Sequence, residues 1–123
     1  LGQEKTEEDR VLHINKGIEF CGGNTELYHQ VLLDYVEEDR SEALHSYWES
    51  EDWVNYRVQI HAIKSTSQTI GALELSEEAK ELEEAVKSGN YPFVKEHHEG
   101  VLCKYRNLIK KIRENEIDWN MKK

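Results

Sequence analysis

The sequence predicts an all-α fold, an up-down-up-down antiparallel four-helix bundle with a short extra N-terminal helix. Apolar residues recur at intervals of three and four along most of the chain, which places them on one side of a helix. The stretch 24–70 contains no Gly and no Pro, so it lacks the residues that mark hairpin turns. With 37% hydrophobic residues, 33% charged residues and a single Pro, the composition is typical of a folded helical domain.

The length of 123 residues is that of one domain, long enough to bury a core. The segment 1–9 is polar and acidic, so we predict a flexible tail or linker end there. The bundle is expected over 10–118, with a second tail at 119–123. Because the chain begins with Leu1 and not with Met, we expect it to be a domain of a longer protein.

The first half of the bundle follows from two apolar patterns. The short pattern in 11–20 predicts a helix of about two turns that lies across the bundle and ends before Gly22-Gly23. Asn24 is a suitable N-cap for a long helix that continues to about Glu49. The charged stretch 37–42 in its middle is predicted to be a solvated part of that same helix.

The second half contains three further helices. Asp52 is placed to cap the helix Trp53–Ala72, which Gly71 ends or bends. Ser76 is predicted to cap the next helix, and Pro92 suits the first turn of the last one. The predicted buried face of that last helix consists of Phe93, Val94, His97, Val101, Leu102, Tyr105, Leu108, Ile109 and Ile112.

Charge and apolar content restrict the class of partner and the compartment. A net charge of −9 argues against sequence-independent binding to nucleic acid or to an anionic membrane, so proteins are the expected partners. No apolar run approaches the roughly 20 residues of a membrane span, and a cytoplasmic setting is the default expectation. Cys21 and Cys103 are both predicted to be reduced, buried thiols.

The helix Trp53–Ala72 has two distinct faces. Its apolar stripe is predicted to face the core and consists of Trp53, Tyr56, Ile60, Ile63, Ser67 and Ile70. A polar row occupies the other side and consists of Arg57, His61, Lys64, Ser65 and Gln68. His61 lies roughly 130° from the centre of the apolar stripe, which predicts an exposed imidazole on a rigid support.

Three motifs, in order, resemble those of the histidine-containing phosphotransfer (HPt) domain. The run from His61 to Ser65, followed by Gly71-Ala72, is similar to the H-x-x-K-G hallmark of that family, with Ser65 where the family usually has Gly. The stretch 22–28, GGNTELY, resembles the GG-[DN]-x-x-L-[YF] opening of the family's first long helix. The stretch 82–85, LEEA, resembles its L-E-x-A. The resemblance covers about 14–112.

The resemblance implies a phosphorelay intermediate. His61 would accept a phosphoryl group from an aspartate on a response-regulator receiver domain and pass it to another receiver aspartate. The chain itself would be a phosphocarrier without autokinase activity and without a cofactor, and the receiver would bring Mg²⁺. The resemblance also implies the setting: we expect the longer protein to be a hybrid sensor kinase that ends in this domain in the cytoplasm, and we expect the domain to act as a monomer.

Elementary chemistry assigns roles to the residues around His61. A neutral imidazole with an exposed lone pair is the nucleophile that phosphoryl transfer needs, and an unperturbed histidine pKa near 6.5 provides it. Lys64, one turn on, is predicted to orient the phosphoryl oxygens, as is the amide of Gln68. Arg57 and Ser65 are predicted to contact the docked partner. Ala62 follows His61, so no acidic neighbour in the sequence stands beside it, which favours a passive carrier.

Two other classes of function remain open from the sequence. The chain could be a helical adaptor that binds receivers or other signalling proteins without carrying phosphate. A metal or cofactor bundle is disfavoured, because the adjacent His97 and His98 point about 100° apart on a helix and cannot share an ion without distant ligands. No ATP-binding motif is recognisable in the sequence.

Overall fold

The computed structural model describes residues 11–114, so both predicted tails, 1–9 and 119–123, lie outside the described residues. This part of the chain is helical and contains no strand, which confirms the predicted all-α class. Its helices are α1 (Ile14–Phe20), α2 (Thr25–Glu37), α3 (Ser41–Glu49), α4 (Trp53–Ile70), α5 (Leu73–Ser88) and α6 (Tyr91–Arg113).

The core lies between α4 and the helices around it. The predicted apolar stripe of α4 is buried from Tyr56 to Ile70, whereas Trp53 is partly exposed and stacks on Tyr91 with ring centroids 4.8 Å apart. The largest fully buried side chains come from all helices but α1, and from the segment before it: Leu12, Tyr28, Leu32, Leu44, Tyr56, Ile60, Ile63, Ile70, Leu82, Tyr105, Leu108 and Ile109.

The prediction of a single long helix from Asn24 to Glu49 is wrong, because the helix is interrupted between α2 and α3. The backbone N–H of Arg40 donates to the phenol of Tyr105 at 3.0 Å instead of continuing a helix. The N–H of Ser41 donates to the carboxylate of Asp39 at 2.9 Å. These bonds satisfy the backbone of a sharp bend in the charged stretch.

Local capping signals predicted most helix boundaries. Asn24 and Asp52 accept hydrogen bonds from the N–H groups of Leu27 and Asn55, as expected for N-caps. Gly71 ends α4 in a left-handed conformation, with φ at 92°. The predicted cap at Ser76 is wrong: α5 already begins at Leu73, and Ser76 lies inside it.

The segment before α1 fastens to the junction between α4 and α5. The N–H of His13 donates to the carbonyl of Gly71 at 2.8 Å, and its ring lies 3.0 Å from the carboxylate of Glu74. A Cβ atom at Gly71 would collide with the carbonyl oxygen of His13, and one at Gly17 would collide with Tyr28. Gly71 therefore permits the close approach of this segment to the bundle, and Gly17 permits that of α1.

His98, and not His97, is the histidine on the buried face of α6. The His98 ring is fully buried, whereas His97 is exposed, which corrects the sequence prediction by one residue. Its Nδ1 atom lies 3.0 Å from the hydroxyl of Tyr56, and its Nε2 atom lies 3.3 Å from Nδ1 of His45. The Trp48 ring stacks on it with centroids 4.4 Å apart. Burial, together with the neighbouring His45 and Arg106, lowers the pKa of His98 to about 4.

The two cysteines differ. Cys21 is buried and free as predicted, but Cys103 is exposed on α6, so the prediction for Cys103 is wrong. Among the helices of residues 11–114, none is long and apolar enough to cross a membrane.

Candidate functional site

His61 stands in the middle of α4 with 59% of its side chain exposed. The neighbouring Ile60 and the nearby Ile63 are fully buried, so the backbone that carries the ring is fixed by core packing. The polar side of this helix faces water, as the sequence predicts. An accessible imidazole therefore stands on a well-anchored support.

One edge of the His61 ring is held by a carboxylate from the next helix. Nδ1 of His61 lies 2.8 Å from Oε2 of Glu83, whose side chain is only 3% exposed. A carboxylate accepts hydrogen bonds, so the neutral ring carries its proton on Nδ1 and donates it to Glu83. The Nε2 atom then bears the lone pair.

Lys64 shares the same carboxylate. Its Nζ atom lies 2.7 Å from Oε1 of Glu83, and its side chain is 26% exposed. Burial acts to raise the pKa of Glu83, but hydrogen bonds from Lys64 and His61 outweigh it and hold that pKa below its usual value. Glu83 is therefore ionised at neutral pH, with both oxygens engaged. Lys64 is more buried and more constrained than a lysine pointing into water.

A hydrogen bond between helices fixes the spacing of this group. The hydroxyl of Ser76 on α5 donates to the backbone carbonyl of Lys64 on α4 at 2.8 Å. Ser76 is buried, and it lies two turns before Glu83 on α5. The hydroxyl that the sequence suggested as a helix cap therefore joins α4 to α5 beside the site.

The remaining predicted site residues lie on the same side of α4 but outside the Glu83 group. Arg57, Ser65 and Gln68 are exposed, and within 11–114 the side chains of Arg57 and Gln68 make no hydrogen bond or ion pair. Val54 and Val58 are also exposed, about two turns and one turn before His61, respectively. These two valines were missed because the sequence shows them only as apolar residues beside the polar row.

The sequence also left Glu83 without a role. Its signal was its position: Ala79, Leu82 and Val86 form the buried stripe of α5, and a glutamate at residue 83 falls within that stripe. A buried acid requires partners. The expectation that no acid stands beside His61 holds in the sequence but not in space, because α5 supplies one.

The site offers no arrangement for a metal ion. Within the described ranges of the chain, no group of three or more His, Cys, Asp and Glu side chains could hold one. Two Glu-x-x-His pairs occur in the sequence, Glu26 with His29 and Glu42 with His45, and neither forms part of such a group.

A comparison of the sequence with models of protein families identifies the family of this chain. The sequence model of the family described as Hpt domain matches residues 28–115, well over half of the chain. The chain belongs to the Hpt domain family. The match in this Hpt domain includes His61, Lys64 and Glu83 and leaves out α1. No curated protein and no solved structure gives a significant match.

Membership of this family indicates the kind of process in which the group around His61 takes part. Hpt domains are phosphocarrier modules of two-component phosphorelays, and they interact with the receiver domains of response regulators. In this Hpt domain the exposed histidine, the buried carboxylate and the half-buried lysine form one hydrogen-bonded group.

Proposed function

We propose that this Hpt domain is a phosphorelay intermediate in which His61 accepts a phosphoryl group from the aspartyl phosphate of one receiver domain and passes it to the aspartate of another. The observation that supports it best is the 2.8 Å contact between Nδ1 of His61 and the carboxylate of Glu83. This contact leaves Nε2 exposed with its lone pair available. The receiver supplies Mg²⁺, and this domain supplies the nucleophile.

The transfer balances without a proton leaving the ring. The Nε2 lone pair of His61 attacks phosphorus, the bond between phosphorus and the donor aspartate oxygen breaks, and the aspartate departs as a carboxylate. The ring keeps its Nδ1 proton and gains positive charge. Glu83 stabilises that charge through an existing hydrogen bond, at no cost of reorganisation. In the return step the same ring leaves as neutral imidazole.

Lys64 is the cation nearest to the phosphoryl group in this scheme. It lies one turn from His61 on the same side of α4, so its ammonium can reach an oxygen bound to phosphorus at Nε2. Gln68 offers amide hydrogens one turn farther along. Both assignments follow from their place on the helix.

The partner would dock over the exposed side of α4. Val54 and Val58 provide apolar contact next to His61, and Arg57 provides positive charge between them. Ser65 lies one turn beyond His61 and leaves space for the receiver's acidic pocket. A surface that combines apolar contact with a charged side chain suits a transient protein complex.

The wider organisation belongs to the same proposal. The hydroxyl of Tyr28 donates to the carbonyl of Ile70 at 2.7 Å, which supports α2 and α4 as antiparallel neighbours. We take α2 with α3, then α4, α5 and α6, as the four legs of an up-down-up-down bundle over 10–118 between two tails. It would act as a monomer in the cytoplasm, as part of a hybrid sensor kinase.

The test is direct transfer from phosphorylated receivers. The purified domain is incubated with a panel of phosphorylated receiver domains, and acid-labile, base-stable phosphate on it is measured in wild type and in His61→Gln. We expect phosphate on the wild type only, with the same helicity and a nearly unchanged melting temperature in the variant, because the amide of the introduced glutamine can donate to Glu83 in place of Nδ1. Phosphate on the variant would exclude His61. Receiver binding without any phosphate would identify an adaptor.

A further inference from the structure

Glu83 has more cationic neighbours than its two oxygens need. His61 and Lys64 occupy them at 2.8 Å and 2.7 Å. Lys87 also lies close, with Nζ 3.8 Å from Oε2, beyond hydrogen-bond distance, and with 48% of its side chain exposed. In the unphosphorylated domain, Lys87 therefore adds little to a carboxylate that is already fully paired.

Phosphorylation of His61 would change the charge balance of this group. A phosphoryl group adds roughly two negative charges and three acceptor oxygens one turn from Lys64. Lys64 would be drawn to it, but its ammonium is held by Glu83. If Lys64 moved alone, a carboxylate only 3% exposed would lose a partner, which is costly for a buried charge.

Building on the proposed function, we infer that Lys87 is a reserve counter-cation: when His61 is phosphorylated, Lys64 turns to the phosphoryl oxygens and Lys87 takes its place on Glu83. Lys87 follows Glu83 by four residues on α5, the order in which a Glu and a Lys pair best on a helix. A change of side-chain rotamer brings it into contact, with no movement of the backbone.

Lys87 is a positioning residue in this scheme, since it acts through Glu83 and touches no phosphoryl oxygen. The phosphorylated domain needs it, whereas the unphosphorylated domain does not. A merely structural ion pair would stabilise both forms alike, so the two roles have different signatures.

The experiment measures the equilibrium constant for transfer from a phosphorylated receiver to His61, and the melting temperature of the unphosphorylated protein. The variants are Lys87→Met, Lys87→Arg and, as a matched control, Lys104→Met. Lys104 is also exposed and pairs with Glu78 at 2.6 Å, an ion pair that does not involve Glu83.

We expect Lys87→Met to lower the equilibrium constant roughly fivefold, as for one partly exposed charged contact. Lys87→Arg should restore it, and Lys104→Met should not change it. The melting temperature of unphosphorylated Lys87→Met should match that of wild type.

A double variant separates the exchange from direct contact. In a Lys64→Met background Lys87 would pair with Glu83 in both forms, so Lys87→Met should no longer affect the equilibrium constant. An equal loss in both backgrounds would mean that Lys87 contacts the phosphoryl group itself, which overturns the exchange. Equal constants for Lys87→Met and wild type, or a lower melting temperature of the unphosphorylated variant, would overturn it too. Those outcomes leave the relay function intact, whereas a wild type that accepts no phosphate overturns both proposals.

Discussion

The Nδ1 atom of His61 and the Oε2 atom of Glu83 lie 2.8 Å apart, and this contact joins an exposed ring to an almost fully buried acid. The burial of Glu83 keeps water from competing for the hydrogen bond, and the exposure of His61 leaves Nε2 open to a partner. The ring's orientation and its tautomer therefore depend on one residue of the neighbouring helix.

Replacing Glu83 separates charge from geometry. In Glu83→Gln the amide oxygen can still accept from Nδ1, but the negative charge is gone, so we expect phosphoryl transfer to slow by about 5- to 30-fold, for about 1–2 kcal/mol of lost stabilisation. Glu83→Ala removes the acceptor as well and should be slower. Single-turnover rates with one phosphorylated receiver measure both. A Glu83→Gln rate equal to that of wild type would mean that the charge plays no part.

Lys64→Ala should slow transfer without abolishing it. The loss of one charged contact to a phosphoryl oxygen is worth roughly 1–3 kcal/mol, or about 5- to 150-fold in rate. Because Lys64 also pairs with the buried Glu83, the free energy of unfolding should fall by about 1 kcal/mol. Rates and urea denaturation of the same preparation separate the two effects, with Lys64→Arg as the charge-preserving control. A wild-type rate in Lys64→Ala would remove Lys64 from the site.

Ser65 tests the docking side of α4. Ser65→Gly should keep or raise the transfer rate while lowering the free energy of unfolding by about 0.5 kcal/mol, since Gly disfavours a helix interior. Ser65→Trp should block transfer without unfolding the domain, because residue 65 is exposed. Transfer rates and melting curves distinguish these outcomes. A Ser65→Trp variant as fast as wild type would show that the receiver does not approach over this turn.

The buried His98 should make the free energy of unfolding depend on pH in the acid range. Burial, with the nearby His45 and Arg106, lowers its pKa to about 4 from about 6.5 when unfolded. The stability that a neutral His98 provides is fully present above pH 6.5 and is lost as the pH falls through 6.5 toward 4. The loss should be about 2 kcal/mol after allowance for solvent screening.

Denaturant titrations of the unphosphorylated protein at pH 7.5 and 4.5 measure this loss. His98→Gln, which cannot titrate, should show a smaller drop in the free energy of unfolding than wild type. His97→Gln, at an exposed position, is the matched control and should behave as wild type. An equal drop in all three proteins would assign the acid sensitivity to other groups.

The sequence predicted those features that depend on near neighbours. The caps at Asn24 and Asp52 and the helix end at Gly71 each involve groups within four residues, so local chemistry was sufficient. The exposure of His61 followed from the same helical periodicity. The polar row on α4 could therefore be predicted from the sequence, whereas its partner on α5, Glu83, could not.

Distant partners account for what the sequence did not reveal. The bend before α3 depends on the hydroxyl of Tyr105, which lies 65 residues from Arg40. Adjacent histidines on α6 could not be told apart, since Tyr56 and His45 determine which one is buried. Glu83 appeared only as part of a family motif, because its role depends on a histidine 22 residues away on another helix.

The two-residue link between α4 and α5 determines how the residues of the site on the two helices are aligned. Gly71 and Ala72 connect helices that end at Ile70 and begin at Leu73, and their N–H groups bond back to Gln68 and Ser67. If one additional residue here were taken up by the first turn of α5, Glu83 would be rotated by about 100° and displaced by about 1.5 Å relative to α4. Glu83 would then swing away from His61 although every side chain of the site was still present. The contact between His61 and Glu83 thus depends on the length of this turn as much as on the two residues that form it.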